Sequence, residues 1–91
     1  QAIKEAGLKP GEDIKIVAID AVPDAHKAIA DGEMNATIEL TPNMAGPALD
    51  ALEAYLADGT EPEKWIQTES RLFTADDDNM AIFNEKKDLG Y

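Results

Sequence analysis

At 91 residues the chain has room for one hydrophobic core, and nineteen Asp and Glu against eight Lys and Arg leave a formal net charge of −11. So acidic a surface repels phosphate backbones and anionic headgroups, which excludes nucleic acid as an expected partner. There is no cysteine to form disulfides, thiolate nucleophiles or thiolate metal sites, and no apolar run approaches the ~20 residues needed to cross a bilayer, so direct membrane insertion is not expected.

Residues 1–6 have helical spacing and stop at Gly7, but neither a cap nor a full first turn precedes them, which leads us to expect a segment of a larger protein. Lys9-Pro10-Gly11-Glu12-Asp13 reads as a turn. The β-branched apolar run Ile14–Ile19 then suits a strand buried on both faces of a parallel sheet. Pro23 fits the first position of a helix over 23–31, in which Asp24 favours the N-terminus, Ala25, Ala28 and Ile29 form the apolar stripe and Gly32 ends it. A second strand over 35–40 completes a strand–helix–strand unit. Pro42 is expected to open a longer helix whose apolar side (Ala45, Ala48, Leu49, Leu52, Leu56) belongs to the core and which closes at Gly59. A third strand over 65–73, a turn at Asp76-Asp77-Asp78 and a last helix over 79–87 follow. The expected class is α/β, a partial parallel sheet with flanking helices, incomplete enough to suggest the C-terminal part of a longer chain.

In open α/β sheets, ligands bind beyond the carboxyl ends of the strands, where helix N-termini present free N–H groups. Asp20 and the stretch Glu39–Thr41 fall there on successive strands. A carboxylate at that place either accepts hydrogen bonds from a ligand's hydroxyls or caps the helix opened by Pro23, and spacing leaves both open. Asp20 and Glu39 as the acid/base pair of a glycosidase would need carboxyls ~5–9.5 Å apart; nothing else in the chain resembles such an enzyme. An EF-hand loop beginning at Asp76 would need an oxygen ligand at Met80 and glycine at Ala81, so a solvated turn is expected instead of a metal site. His26 has no partner for metal or nucleophilic chemistry and reads as an exposed helix residue, while Trp65 reads as packing under the third strand. The glycosylation-type triplet Asn35-Ala36-Thr37 falls on a strand and is discounted.

An apolar strand ending in Asp (Ile16–Asp20), a Pro-Asp helix start (Pro23-Asp24), a helix closing at Asp31-Gly32, the strand Ala36-Thr37-Ile38 and a Pro-led segment at Pro42 stand in order at characteristic spacings. Over roughly residues 1–75 the sequence thereby resembles the periplasmic sugar-binding proteins of ABC importers, of the ribose and galactose type and most like the galactofuranose-binding branch. The resemblance implies a Rossmann-like three-layer periplasmic-binding-protein type I fold whose two lobes close on a sugar about three chain crossings. Residues 1–41 would then end the C-terminal lobe, 42–65 would form a return helix in the N-terminal lobe, and 66–91 would hold the last hinge strand and the tail. It also implies that Asp20 hydrogen-bonds sugar hydroxyls. The family commonly has an amide two residues before the hinge proline, where this chain has Leu40; Glu39, Thr41 and Asn43 are the candidates to take over that contact. The function so implied is that of a periplasmic substrate-binding component, without enzymatic chemistry, cofactor or metal, that delivers a monosaccharide or related polyol, such as a furanose sugar, to ABC transporter permease subunits. The alternative is the sugar-sensing effector domain of a bacterial transcription repressor of the same fold.

Overall fold

A computed structural model describes all 91 residues, Gln1–Tyr91. Four helices and three short strands alternate along the chain: α1 (Ala2–Glu5), β1 (Val17–Ile19), α2 (Pro23–Ala30), β2 (Ala36–Ile38), α3 (Ala45–Asp58), β3 (Leu72–Thr74) and α4 (Asn79–Lys86). The sheet runs in the order β1-β2-β3. β1 and β2 pair in parallel, as expected of strands joined through a helix. β3 pairs antiparallel to β2, so the sheet is mixed where three parallel strands were expected. The third strand is also shorter than 65–73. β2 offers only Ala36–Ile38 as a partner, and one further bond, from the Glu39 amide to the Arg71 carbonyl (2.8 Å), is all that extends the ladder.

Register and pleat decide which side chains are covered. Ala18, Thr37 and Phe73 are aligned across the three strands and share one face, because successive strand residues point to opposite faces. Thr37 and Phe73 on that face are buried beside Ala25, His26 and Ile29 of α2 and Asn79 of α4, and α2 and α4 pack on each other. The row Ile19–Ile38–Leu72 faces the other way and stays open, Ile19 being 65% and Leu72 56% exposed. The expectation that the run ending at Ile19 is covered on both faces is therefore corrected: in this chain helices cover one face.

α2 begins with Pro23 as its first residue and contributes Ala25 and Ile29 to the core as its spacing requires. α3 departs from expectation twice. It starts at Ala45 and not at Pro42, because the Asn43 amide donates to Thr41 Oγ1 (3.1 Å) and the Met44 amide to the Pro42 carbonyl (2.8 Å), local bonds that compete with the first helical turn. Pro47 is tolerated in that turn since an N–H there would have no helical acceptor. And α3 buries none of its residues: Leu49, Leu52 and Leu56, expected in the core, are 62%, 50% and 73% exposed. Gly59 ends the helix in a left-handed conformation, as expected. The radius of gyration of 18.0 Å, against roughly 12 Å for a compact domain of this length, reflects an excursion over residues 42–71 away from the body formed by the rest. Trp65 lies on that excursion, 80% exposed, and does not pack under the third strand.

The loop before β1 is fastened by Asn35, whose Oδ1 accepts from the Ile16 amide (2.8 Å) while its Nδ2 donates to the Gly11 carbonyl (2.9 Å). The amide nitrogen that a glycan would need is thus engaged. Gly11, buried and at φ +83°, runs so close to the Gly32 carbonyl that a Cβ would lie 2.4 Å from its oxygen.

Candidate ligand-binding site at the β1–α2 turn

β1 ends where Asp20 and Ala21 leave extended geometry. Both have positive φ, +95° and +52°, and neither is glycine. Such residues cost on the order of 1–3 kcal/mol each and persist only where their surroundings over-determine them. Here the surroundings do. The Asp20 amide donates to the Ile38 carbonyl (2.8 Å), the Ala21 amide donates to Thr37 Oγ1 (3.2 Å), and Lys86 Nζ at the end of α4 donates to the Ala21 carbonyl (3.4 Å). Ala21 and Thr37 are fully buried.

Asp20 itself is exposed, and its carboxylate accepts no hydrogen bond. The helix-capping alternative is thereby decided: the residue at the N-cap of α2 is Val22, and no side chain caps that end. A charged acceptor with four lone-pair positions is left facing outward from a pinned turn, beside a helix N-terminus.

Glu39 lies one residue past β2 and is half-buried. Its Oε1 is 3.6 Å from Lys86 Nζ, an ion pair and not a hydrogen bond. Lys86 therefore bridges Glu39 and the Asp20–Ala21 turn. Thr41 and Asn43 sit further along the irregular segment before α3; Thr41 Oγ1 accepts from the Asn43 amide, and Asn43 Nδ2 donates to the Tyr91 hydroxyl (3.4 Å). Their hydrogen bonds do not link them to Asp20 or Glu39, so the four candidates fall into two pairs, Thr41 with Asn43 and, through Lys86, Glu39 with the Asp20–Ala21 turn.

Lys86 and the hydroxyl of Thr37 are the participants that sequence reasoning passed over. A hydroxyl inside the apolar triplet Ala36-Thr37-Ile38 is the one readable signal, since a buried hydroxyl needs a partner. Nothing local marks Lys86.

His26 corrects a second expectation. It is fully buried, not exposed, with its ring edge-on to Phe73 at 4.6 Å between centroids and Nδ1 3.0 Å from Asn79 Oδ1. Asn79 Nδ2 donates to the carbonyls of Thr74 (2.8 Å) and Asp77 (3.0 Å), which makes Oδ1 the acceptor and assigns the proton to Nδ1. Nε2 has no partner. The acidic turn is likewise built for structure. Asp77 accepts from the Thr74 amide (2.9 Å) and from Arg71 Nη2 (2.6 Å), and these bonds, that amide first, hold its carboxyl below the usual Asp range. Asp78 caps α4 by accepting from the Ala81 amide (3.2 Å).

No protein-family model matches the chain. Individual proteins do. The galactofuranose-binding protein YtfQ of Escherichia coli strain K12 is 59% identical over 91 residues, all of this chain and 28% of YtfQ. These 91 residues are homologous to one segment of such sugar-binding proteins. Among solved structures, a galactofuranose binding protein superposes over the whole chain with a TM-score of 0.86 at 59% identity, the match covering 30% of that structure. The periplasmic binding protein component of the arabinose ABC transporter from Shewanella sp. ANA-3, bound to α- and β-L-arabinofuranose, superposes over 98% of the chain with a TM-score of 0.85 at 49% identity, covering 29% of its own length. The chain thus spans less than a third of the relatives it matches and carries part of the periplasmic-binding-protein fold. No helix is long and apolar enough to cross a membrane.

Proposed function

We propose that these residues supply one wall of the sugar site in a periplasmic substrate-binding protein that delivers a furanose-form monosaccharide to the permease subunits of an ABC transporter, with no chemical step of its own. The observation that carries this reading is the Asp20 carboxylate, exposed and without a hydrogen-bond partner on a turn pinned by three others. A carboxylate accepts two hydroxyl donors at once, and such charge-assisted bonds are roughly twice as strong as neutral ones. Glu39, Thr41 and Asn43 complete the set of residues proposed to line the cleft. In this reading residues 1–41 end one lobe, 42–65 carry α3 into the other, and 66–91 return through the last hinge strand; the excursion of α3 with its bare apolar side supports the division. Identity of 59% to a galactofuranose-binding protein favours an importer component over a sugar-sensing repressor domain of the same fold.

The test is a thermal-shift and calorimetric titration of the complete gene product with D-galactose, L-arabinose and D-fructose, each of which populates a furanose form. Binding of at least one is expected, with retention of 5-deoxy-L-arabinose, which closes its ring only through O4, and loss of affinity in Asp20→Asn. No binding by the wild-type protein, or hydrolysis of an added aryl furanoside that Asp20→Asn abolishes, would overturn the reading.

A further inference from the structure

Lys86 is 17% exposed at its side chain, whereas Lys4, Lys9 and Lys27 are 52% exposed or more. A lysine is rarely enclosed to this degree without a reason, because its ammonium must be compensated and its stem could be replaced by any apolar chain. Its compensation is specific. Nζ reaches the Ala21 carbonyl (3.4 Å) and Glu39 Oε1 (3.6 Å) and lies 6.0 Å from the centre of the Phe73 ring. The Ala21 carbonyl belongs to the second of two left-handed residues and precedes the N-cap of α2, so helix α2 offers it no donor.

We propose that Lys86 is a positioning residue for sugar binding: from α4 it fixes the Ala21 carbonyl, with Glu39 as counter-ion, and so holds the Asp20 carboxylate in its ligand-accepting orientation. The proposal rests on the reading of Asp20 as a sugar contact. Bond by bond, the turn is held by β2 at the two amides and by α4 at the carbonyl. The amide bonds alone place no donor on the Ala21 carbonyl, which Lys86 supplies. Left-handed geometry costs an alanine about 1–2 kcal/mol, so without the carbonyl bond Ala21 relaxes towards the ordinary extended region, which loosens the Thr37–Ala21 bond and with it the setting of the preceding carboxylate. Binding strength at Asp20 thereby depends on the docking of α4, an element more than sixty positions later in the chain.

The experiment is a double-mutant cycle in the complete gene product, titrated with D-galactose, L-arabinose and D-fructose. Lys86→Met is expected to weaken binding about tenfold, the loss of one bond made by a charged donor, while the ligand-free protein keeps its secondary structure. Lys86→Arg restores most of the affinity. Lys86→Met combined with Asp20→Asn binds no more weakly than Asp20→Asn alone, since both changes remove the same contact. Unchanged affinity in Lys86→Met, a lack of rescue by Arg, or full additivity with Asp20→Asn overturns the proposal. Should Lys86→Met fail to fold, Lys86→Leu, which likewise has no donor, takes its place, and wild-type affinity in it overturns the proposal equally. Wild-type affinity in Asp20→Asn refutes the reading of Asp20 itself, and the positioning role with it.

Discussion

Replacing Thr37 by valine exchanges a hydroxyl for a methyl at nearly constant volume, at a side chain with no exposure to solvent. The hydroxyl is the acceptor for the Ala21 amide at 3.2 Å, and Ala21 is itself fully buried. Thr37→Val therefore strands a buried N–H, at about 1–3 kcal/mol, and offsets this by roughly 0.8 kcal/mol for one more buried methyl, a net loss of about 0.2–2 kcal/mol. Thr37→Ser keeps the acceptor and gives up only a methyl, about 1 kcal/mol. The two variants thus lose similar stability for opposite reasons and part company over the ligand: valine frees the Asp20–Ala21 turn and weakens sugar binding, serine leaves binding near wild type. Urea unfolding followed by far-ultraviolet circular dichroism gives the first quantity and calorimetric titration the second. If valine and serine bind sugar equally well, the Thr37 hydroxyl does not hold the turn and the account of its strain is wrong.

Asn79→Ala removes three side-chain bonds at a residue 3% exposed and leaves the His26 Nδ1–H without an acceptor, so a loss of about 2–4 kcal/mol is expected in urea unfolding; a change under about 0.5 kcal/mol would mean the bridge between α2 and α4 is incidental. Gly11→Ala meets the Gly32 carbonyl at 2.4 Å as well as an unfavourable φ of +83°, whereas Gly32→Ala, at φ +77°, meets nothing within 4 Å. Gly32→Ala should cost about 1 kcal/mol and Gly11→Ala clearly more, an order that melting temperatures will confirm or reverse. Asp77 titrates below the usual Asp range because it accepts from the Thr74 amide and from Arg71. A carboxyl lowered in the folded state stabilises above its unfolded value, near pH ~4, and loses that contribution as pH falls through the folded value. The stability advantage of wild type over Asp77→Asn should accordingly shrink in acid; an advantage that stays constant below pH ~4 contradicts the assignment.

What the sequence disclosed follows from where local rules act alone. Pro23 and the stripe Ala25–Ile29 place α2 because a proline at the first helical position and a 3.6-residue period are properties of the helix itself. Gly59 closes α3 for the same kind of reason. The position of Asp20 is equally local, a strand end followed by a helix start. Tertiary partners decided the rest. The place of β3 depends on which edge of β2 is free, and residues 65–70 make no ladder bond, so their apolar residues say nothing of direction. Leu49, Leu52 and Leu56 have the spacing of a buried face but no surface in this chain to meet. His26 is legible by position: it lies three residues before Ile29, on the buried side of α2, and its spacing carries more information than its chemistry.

The same contrast explains why the site was addressable but its state was not. A strand-end rule gives the residue; it is silent on conformation, and here the conformation is what makes the carboxylate available. Asp20 stands two residues before the N-cap of α2, and its side chain accepts from none of that helix's amides. With Pro23 as the first helical residue the N-cap is Val22, which has nothing to cap with, and the left-handed pair before it leaves the acid outside. That conformation requires Ile38, Thr37 and Lys86 from two other elements. The strain is local, the restraint is distributed, and an open charged acceptor is the result of the two together. A helix cap alone would need neither, which is why the left-handed pair, more than the acid itself, supports the proposed sugar contact.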